Sequence, residues 1–341
     1  MSIPDTMKAL VQLGEGYSGT ATGPEVDDLS PYLELRDIPV PQPGEGQALI
    51  KVDLAGVNPS DIHFLKGEYG QPRVKGAPAG FEGVGEVVAG DTPLLGKRVS
   101  FFAGGSGAWA EYALADAMSL VPCRPDLDEV DAAGQLVNPL TAIAMFDMVV
   151  KSGAEYFVLN AAGSQLGKLL IALGRDNGLP AIAVIRREEQ AQALRDLGAS
   201  EVIVTSKTGA AEEAAALMQA RGPRVLLDAV GDQFAADLFF AMPAHSRWVN
   251  YGKLSTEAPQ LTQLGQLIFL NKRIEGFWLT RWIKQAGADR VREGFVEIQT
   301  RFVEGLWKTD VAGIVPLSEA MEGLVPLLAQ KDGKAFIDPR R

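Results

Sequence analysis

A single cysteine, Cys123, stands in a chain of 341 residues. No disulfide can close within it, and no four-cysteine zinc site can form. Histidine is almost as scarce, with only His63 and His245. The sequence places one of them at the surface and the other in a turn, and no metal is expected. Basic residues are also short: 32 Lys and Arg face 43 Asp and Glu, for a formal charge of −11. A field of that sign repels phosphate backbones and anionic lipid, so nucleic-acid and membrane-surface roles are disfavoured. An anionic ligand must be met by a local cationic pocket. No apolar run is long enough to span a bilayer. The segment 1–10 carries Asp5 and lacks the apolar stretch of a signal peptide, so the expected location is cytoplasmic.

The bulk composition is ordinary. Hydrophobic residues make up 47% and charged residues 22%, as in folded proteins and unlike disordered ones. The length suits two domains. The first third reads as β-rich: residues 48–55 alternate roughly apolar and polar, the period of a half-buried strand. Turn clusters at Pro41-Gln42-Pro43-Gly44-Glu45-Gly46 and Gly104-Gly105-Ser106-Gly107 punctuate short strands such as 83–89 and 98–102. The pattern changes near Leu127. Residues 130–150 read as a helical stretch interrupted at Asn138-Pro139. Six short strands follow, at 156–160, 181–185, 201–204, 224–228, 247–251 and 273–278, with amphipathic segments such as 188–197 and 210–220 between them. Short Val/Ile/Leu-rich strands alternating with helices mark a doubly wound parallel sheet, and six of them match a dinucleotide-binding domain. A helical segment at 289–306 precedes a small β/α piece with strands at 313–316 and 335–337. That piece is too small to stand alone and is expected to pack on the β-rich domain. The predicted fold is α/β, with a discontinuous β-rich domain over 1–127 and 283–341 and a Rossmann domain over 128–282.

One turn in the second domain carries a chemical signal. The strand 156–160 leads into Ala161-Ala162-Gly163-Ser164-Gln165-Leu166-Gly167 and then a helix over 168–176. Such a turn aims free backbone N–H groups and the positive helix end at one point, where a pyrophosphate can sit if the approaching side chains are small. Measured against G-x-G-x-x-G the match is degenerate, with Ala162 first, Ser164 second and Gln165 out of pattern. The flanking strand and helix and the five further strands strengthen it. About twenty residues on, where an NAD site usually carries a carboxylate, stand Arg186 and Arg187. Two guanidiniums there suit a ribose 2′-phosphate. The alternative is a solvated helix start, which cations at a helix N-terminus would oppose. The reading is NADP(H).

The chain resembles the medium-chain dehydrogenase/reductase superfamily, in which a GroES-like catalytic domain brackets a nucleotide-binding domain. The resemblance rests on Gly56-Val57-Asn58-Pro59-Ser60-Asp61, Gly80-Phe81-Glu82-Gly83-Val84-Gly85, Asn138-Pro139-Leu140-Thr141, the phosphate loop, Asp228-Ala229-Val230-Gly231, Tyr251-Gly252 and Gly276-Phe277-Trp278. Zinc-dependent members hold a catalytic metal with a Cys and a Gly-His-Glu motif. Asn58 and Phe81 stand where that Cys and His would be. Two zinc-free branches remain similar: quinone oxidoreductases, and the 2-enoyl thioester reductases of mitochondrial fatty-acid synthesis. The segments 58–70 and 273–282 are similar to the second branch, whereas Phe81 in Gly-Phe-Glu looks more like the first.

Carried over at matching positions, the resemblance implies cofactor contacts at Asn138, Gly163, Ser164, Gln165, Leu166 and Gly167, and at Arg186 and Arg187. It also implies Tyr251, Gly252, Lys253 and Leu254, then Phe277, Trp278 and Leu279, and finally Lys334. Tyr69 becomes the proton donor, with Asn58 and Trp278 beside the substrate. Taken alone, Tyr69 reads as a surface turn residue between Gly67 and Gly70, Asn58-Pro59 as a turn, Trp278 as core packing and Cys123 as an inert loop residue. The expectation is an NADPH-dependent, zinc-independent reductase of an enoyl thioester, enone or quinone, acting on a small molecule as a homodimer. A non-catalytic NADPH-binding protein is the rival reading.

Overall fold

The computed structural model describes residues 3–103, 107–330 and 333–341. Most of the expected turn at 104–107 lies outside them. The chain forms two compact units, Met1–Val137 with Phe295–Arg341, and Asn138–Gly294. The sequence reading put the edges at 127/128 and 282/283, so both lie later than expected. The first edge falls where a helix Glu129–Gly134 ends and a second, Asn138–Lys151, begins. Proline is tolerated in the first turn of a helix, where its missing N–H is not needed. Asn138-Pro139 thus starts the second helix.

The first unit is built on a seven-stranded sheet. Its spatial order is Val311–Pro316, Lys334–Asp338, Gln47–Gly56, Glu82–Gly90, Arg98–Phe102 and Val121–Pro122, with Tyr112–Asp116 also paired to Gln47–Gly56. The C-terminal β/α piece joins this sheet: Phe336 and Ile337 pair antiparallel with Gly56 and Ala55. A separate antiparallel ribbon joins Thr6–Gln12 to Leu33–Pro39. The core holds Leu10, Ile50, Phe101, Trp109 and Ile337, each buried. A seven-residue helix, Pro59–Leu65, follows Gln47–Gly56 and starts at Asn58, with proline in its first turn.

The second unit is the parallel sheet. Its six strands are Phe157–Leu159, Ala181–Ile185, Glu201–Val204, Val225–Asp228, Arg247–Asn250 and Arg273–Gly276. In space they run third, second, first, fourth, fifth, sixth, and every neighbouring pair is parallel. The strand order reverses between the first and fourth strands. At such a switch point the loops leave in opposite directions and open a crevice at the carboxyl ends. Phe157, Val158 and Leu159 are fully buried, which a central strand covered on both faces requires. Among the described residues no helix is long and apolar enough to cross a membrane.

Candidate functional site

The phosphate loop folds as its residue types dictate. Leu159 ends the first strand and Asn160 turns the chain. Ala161 then takes φ +47°, a left-handed conformation uncommon for a residue with a side chain. Ser164 caps the helix Gln165–Asp176, its Oγ accepting from the Gly167 N–H at 3.1 Å. That cap satisfies one of the N–H groups left over at a helix start. Gly167 lets the helix close onto the strand: a Cβ there would lie 2.5 Å from the Ala162 carbonyl oxygen.

Because the six strands are parallel, four of the expected segments fall on one edge. Residues 163–167 follow the first strand, Arg186 and Arg187 the second, 251–254 the fifth and 277–279 the sixth. Arg186 is exposed at its strand end and Arg187 half-buried. Of the two glutamates that follow, Glu188 reaches Lys207 at 2.5 Å, and Glu189 lies 3.8 Å from Arg187. Trp278 is half-buried and occupies the cap of the helix Leu279–Ala286. Asn138 begins its own helix.

Sequence reasoning missed the residue that organises this edge. Asp228, at the end of the fourth strand, is fully buried. Its Oδ1 accepts from the Asn160 amide and from the N–H groups of Val230 at 2.8 Å and Gly231 at 2.9 Å. Its Oδ2 accepts from Trp248 Nε1 at 2.6 Å and Asn250 Nδ2 at 3.2 Å. Asn160 in turn accepts from the Ala229 N–H at 2.8 Å. The ends of the first, fourth and fifth strands are thereby joined through one carboxylate. The motif Asp228-Ala229-Val230-Gly231 was visible, but the number of donors converging on it was not.

The edge fits a dinucleotide on a further observation. The Tyr251 hydroxyl, one residue past the fifth strand, is buried and has no hydrogen-bond partner among the described residues. Burial, and then the Asp228 charge, push its ionisation well above the ordinary phenol range. A neutral buried hydroxyl without a partner is costly, and a ligand atom at this edge would relieve the cost.

In the first unit the structure brings Asn58 and Lys334 together, and neither opens onto solvent. Both are buried beside Glu82 and Asp61. The Lys334 ammonium lies 2.9 Å from Glu82 Oε1 and also donates to Asn58 Oδ1. Asn58 Nδ2 donates to the same Glu82 oxygen at 2.9 Å. The other Glu82 oxygen accepts from the N–H groups of Leu136 at 3.1 Å and Val137 at 2.8 Å. Asp61 accepts from Asn58 N at 2.8 Å and from Phe81 N at 2.9 Å. Lys334 was expected at the cofactor and Asn58 at the substrate. In the structure their polar side-chain atoms join a buried network, in which an ammonium and a carboxylate taken from water have each other and further hydrogen bonds. His63 corrects a further expectation: it is buried on the helix Pro59–Leu65, 3.4 Å from Glu68. His245 does sit exposed in a turn, at φ +65°.

Tyr69 is half-buried rather than a bare surface residue. Its ring packs 5.2 Å from that of Phe81 and 6.4 Å, edge-on, from that of Phe64. Cys123 is partly buried, with its sulfur 3.2 Å from Ser100 Oγ. Desolvation raises its thiol ionisation, which suits an inert residue.

Comparison with known proteins agrees with this architecture. Residues 44–125 match the model for the alcohol dehydrogenase GroES-like domain, and residues 166–293 the model for a zinc-binding dehydrogenase. The solved structure of a provisionally named NADPH:quinone reductase from Mesorhizobium loti superposes with a TM-score of 0.95. It is 46% identical, with 99% of this chain and 100% of that one covered. The chain belongs to the medium-chain dehydrogenase/reductase superfamily. Two further members are mitochondrial enoyl-[acyl-carrier-protein] reductases. The one from Xenopus tropicalis is 30% identical over 76% of each chain. The one from Bos taurus is 28% identical over 93% of this chain and 84% of its own. In this member of the superfamily no group of three His, Cys, Asp or Glu among the described residues is arranged to hold a metal ion.

The Asp61 carboxyl is raised to about 7, chiefly because burial penalises its charge. The Asn58 N–H and the Lys334 charge oppose that shift, and Glu82 adds to it. The folded chain therefore holds this proton more tightly than the unfolded chain, whose aspartates titrate near 4. The resulting stabilisation is complete below about pH 4 and is lost as the pH rises through about 7. Asp61→Asn cannot titrate. The unfolding free energy of the native chain relative to Asp61→Asn should fall between pH 4.5 and 8, by at most about 1.4 kcal/mol per pH unit. Urea titrations across that range would show it, and a constant difference would contradict the assignment.

Proposed function

We infer that the protein is an NADPH-dependent reductase of conjugated carbonyl compounds, with an enoyl thioester as substrate. One observation carries the reading. A dinucleotide cradle with a guanidinium at its second strand end stands in the same chain as a network whose Asn58 and Glu82 are already engaged by the Lys334 ammonium. Assistance at the carbonyl then falls to a side-chain proton donor. The sequence relationship to enoyl-[acyl-carrier-protein] reductases supports the thioester. The Mesorhizobium loti relationship favours a second reading, in which a quinone is reduced.

NADPH supplies hydride when bound. The N–H groups of 163–167 and the start of the helix Gln165–Asp176 hold its pyrophosphate. Arg186 and Arg187 pair with its 2′-phosphate, and the turns at 251–254 and 277–279 complete the edge. Tyr69 holds the proton that completes reduction, a phenol being a suitable general acid toward an enolate. Phe64 and Phe81 orient its ring.

The second unit also carries the reading of a homodimer. Ile268 is 75% exposed and Phe269 82% exposed on the short helix Gly265–Phe269. Leu264, Leu270 and Ile274 are exposed beside them, Ile274 on the sixth strand, which is the edge of the sheet. Exposed large apolar residues on and near an edge strand are either a partner surface or an aggregation hazard. A second copy of this edge, related by a two-fold axis, would cover both.

Three outcomes follow from these assignments. Arg186→Asp should raise the apparent KM for NADPH about tenfold to a hundredfold, from the loss of charged hydrogen bonds, and barely change that for NADH. Equal affinity of the native protein for the two cofactors would remove the basis of the assignment. Tyr69→Phe should lower turnover of a crotonyl thioester by about 10²–10⁴-fold at unchanged NADPH affinity. Retained quinone turnover in the same variant would place the natural substrate on the thioester side, since a quinone can take its proton from solvent. Near-native rates with every substrate would return Tyr69 to a packing role. The double change Ile268→Asp and Phe269→Asp should convert a dimer to a monomer in sedimentation velocity, whereas a native protein already monomeric at micromolar concentration would refute the edge assignment.

A further inference from the structure

The segment 13–25 forms no helix and only one isolated strand bridge, between Gly16 and Arg73. It is nevertheless tied down along its length, and the residues that tie it flank Tyr69 on both sides. On the N-terminal side, Glu68 Oε1 accepts from Thr20 Oγ1 at 3.0 Å, from Thr22 N at 2.8 Å and from Thr22 Oγ1 at 2.9 Å. The Glu68 side chain is fully buried. Lys66 is buried too, and its ammonium donates to Thr22 Oγ1 at 3.2 Å, to the Gly23 carbonyl at 2.9 Å and to the Glu25 carbonyl. Between them Gly67 takes φ +74° and accepts from the Ser18 N–H at 2.9 Å. A Cβ at Gly67 would lie 2.7 Å from that nitrogen, so only glycine lets the two segments meet. On the C-terminal side, Arg73 donates to the carbonyls of Gly16 at 3.1 Å, Glu15 at 3.2 Å and Leu65 at 3.1 Å.

The loop that carries Tyr69 is thus anchored at each end to one strap, while the ring rests on Phe64 and Phe81. Neither Lys66 nor Glu68 was singled out by sequence pattern, and each buried charge is tolerated because the strap supplies its hydrogen bonds, so strap and loop are held together. We propose that Lys66 and Glu68 are positioning residues for the Tyr69 hydroxyl, acting through the 13–25 strap. The proposal rests on the reading of Tyr69 as proton donor. The carboxylate orders Thr20 and Thr22, the ammonium orders the carbonyls beyond them, and the strap in return fixes the turn at Gly67. Loss of either charged side chain frees the loop ends, and the phenol no longer sits where its proton is needed. Misplacement of a reacting group by about 1 Å can cost a hundredfold in rate.

The test is a mutant cycle read in NADPH-dependent crotonyl-thioester reduction. Glu68→Ala and Lys66→Met are each made in the native chain and in Tyr69→Phe. In the native chain each should lower kcat about tenfold to a hundredfold, with the NADPH KM unchanged. In the Tyr69→Phe background neither should lower kcat further, because the group they position is gone. Glu68→Gln, which keeps an acceptor oxygen, should recover part of the loss. Hydrogen exchange at the amides of 67–73 should quicken in Glu68→Ala while the unfolding midpoint of the second unit stays in place. Equal losses in both backgrounds would make Lys66 and Glu68 merely structural and overturn the proposal, as would unchanged exchange at 67–73. Full activity in Tyr69→Phe alone is a different failure: it removes the proton-donor reading, and the positioning role with it.

Discussion

A single carboxylate, Asp228, holds the nucleotide-binding edge in register. Five donors from three strand ends converge on it. Hydrogen bonds to an ionised group are stronger than neutral ones, and inside a protein they reinforce one another. The turn after the fourth strand, the amide of Asn160 beside the phosphate loop, and the indole of Trp248 are all placed by this one group. The loop Ala161–Gly167 can then adopt an unusual backbone at Ala161 because its two sides are already held: Asn160 is clamped to Asp228, and Ser164 caps the helix.

The first unit uses the same physics with the opposite charge at its centre. Lys334 gives its ammonium to Glu82 and Asn58, and Glu82 passes the constraint to the backbone of Leu136 and Val137. The superfamily resemblance places Asn58 where zinc-dependent members carry a ligand. An organic cation on the end of a side chain therefore ties together residues from three distant parts of the sequence. Unlike a metal ion it is covalently part of the chain. Its charge is balanced within hydrogen-bond distance, the condition under which a buried ion pair is tolerated.

Much of the second unit was legible from the sequence. All six parallel strands were found: the first four are short runs rich in Val, Ile and Leu that fill a buried layer, whereas Arg247–Asn250 and Arg273–Gly276 carry only one such residue each. The sixth, Arg273–Gly276, is shorter than the expected 273–278 and forms the largely exposed sheet edge. The first unit was read less completely. The strands Thr6–Gln12 and Leu33–Pro39 went unseen because Thr6–Gln12 alternates only at its start before running buried, and Leu33–Pro39 is mostly exposed. The site followed the same division. The phosphate loop and the arginines at 186 and 187 carry local signals, and the strands delivered them to one edge. Asn58, Glu82 and Lys334 lie far apart in sequence, and only pairing of Lys334–Asp338 with Gln47–Gly56 brings them together. Buried histidine at position 63 was missed for a related reason: nothing in a seven-residue helix announces which face the rest of the chain will cover.

The distance between Glu82 and its counter-ion has a meaning for biosynthesis. The two residues are separated by 252 positions, and the whole nucleotide-binding unit lies between them. Chains emerge from the ribosome N-terminus first, and domains tend to fold as units. When the strand Glu82–Gly90 is made, the lysine that neutralises its carboxylate in the finished fold has not yet been synthesised. The strands Val311–Pro316 and Lys334–Asp338, which complete the first sheet, are made only after the second unit with its own complete set of strands and its own central carboxylate. Lys334 arrives afterwards on the strand that completes the sheet. The buried pair with Glu82 can thus form only when the last strand of the chain is in place.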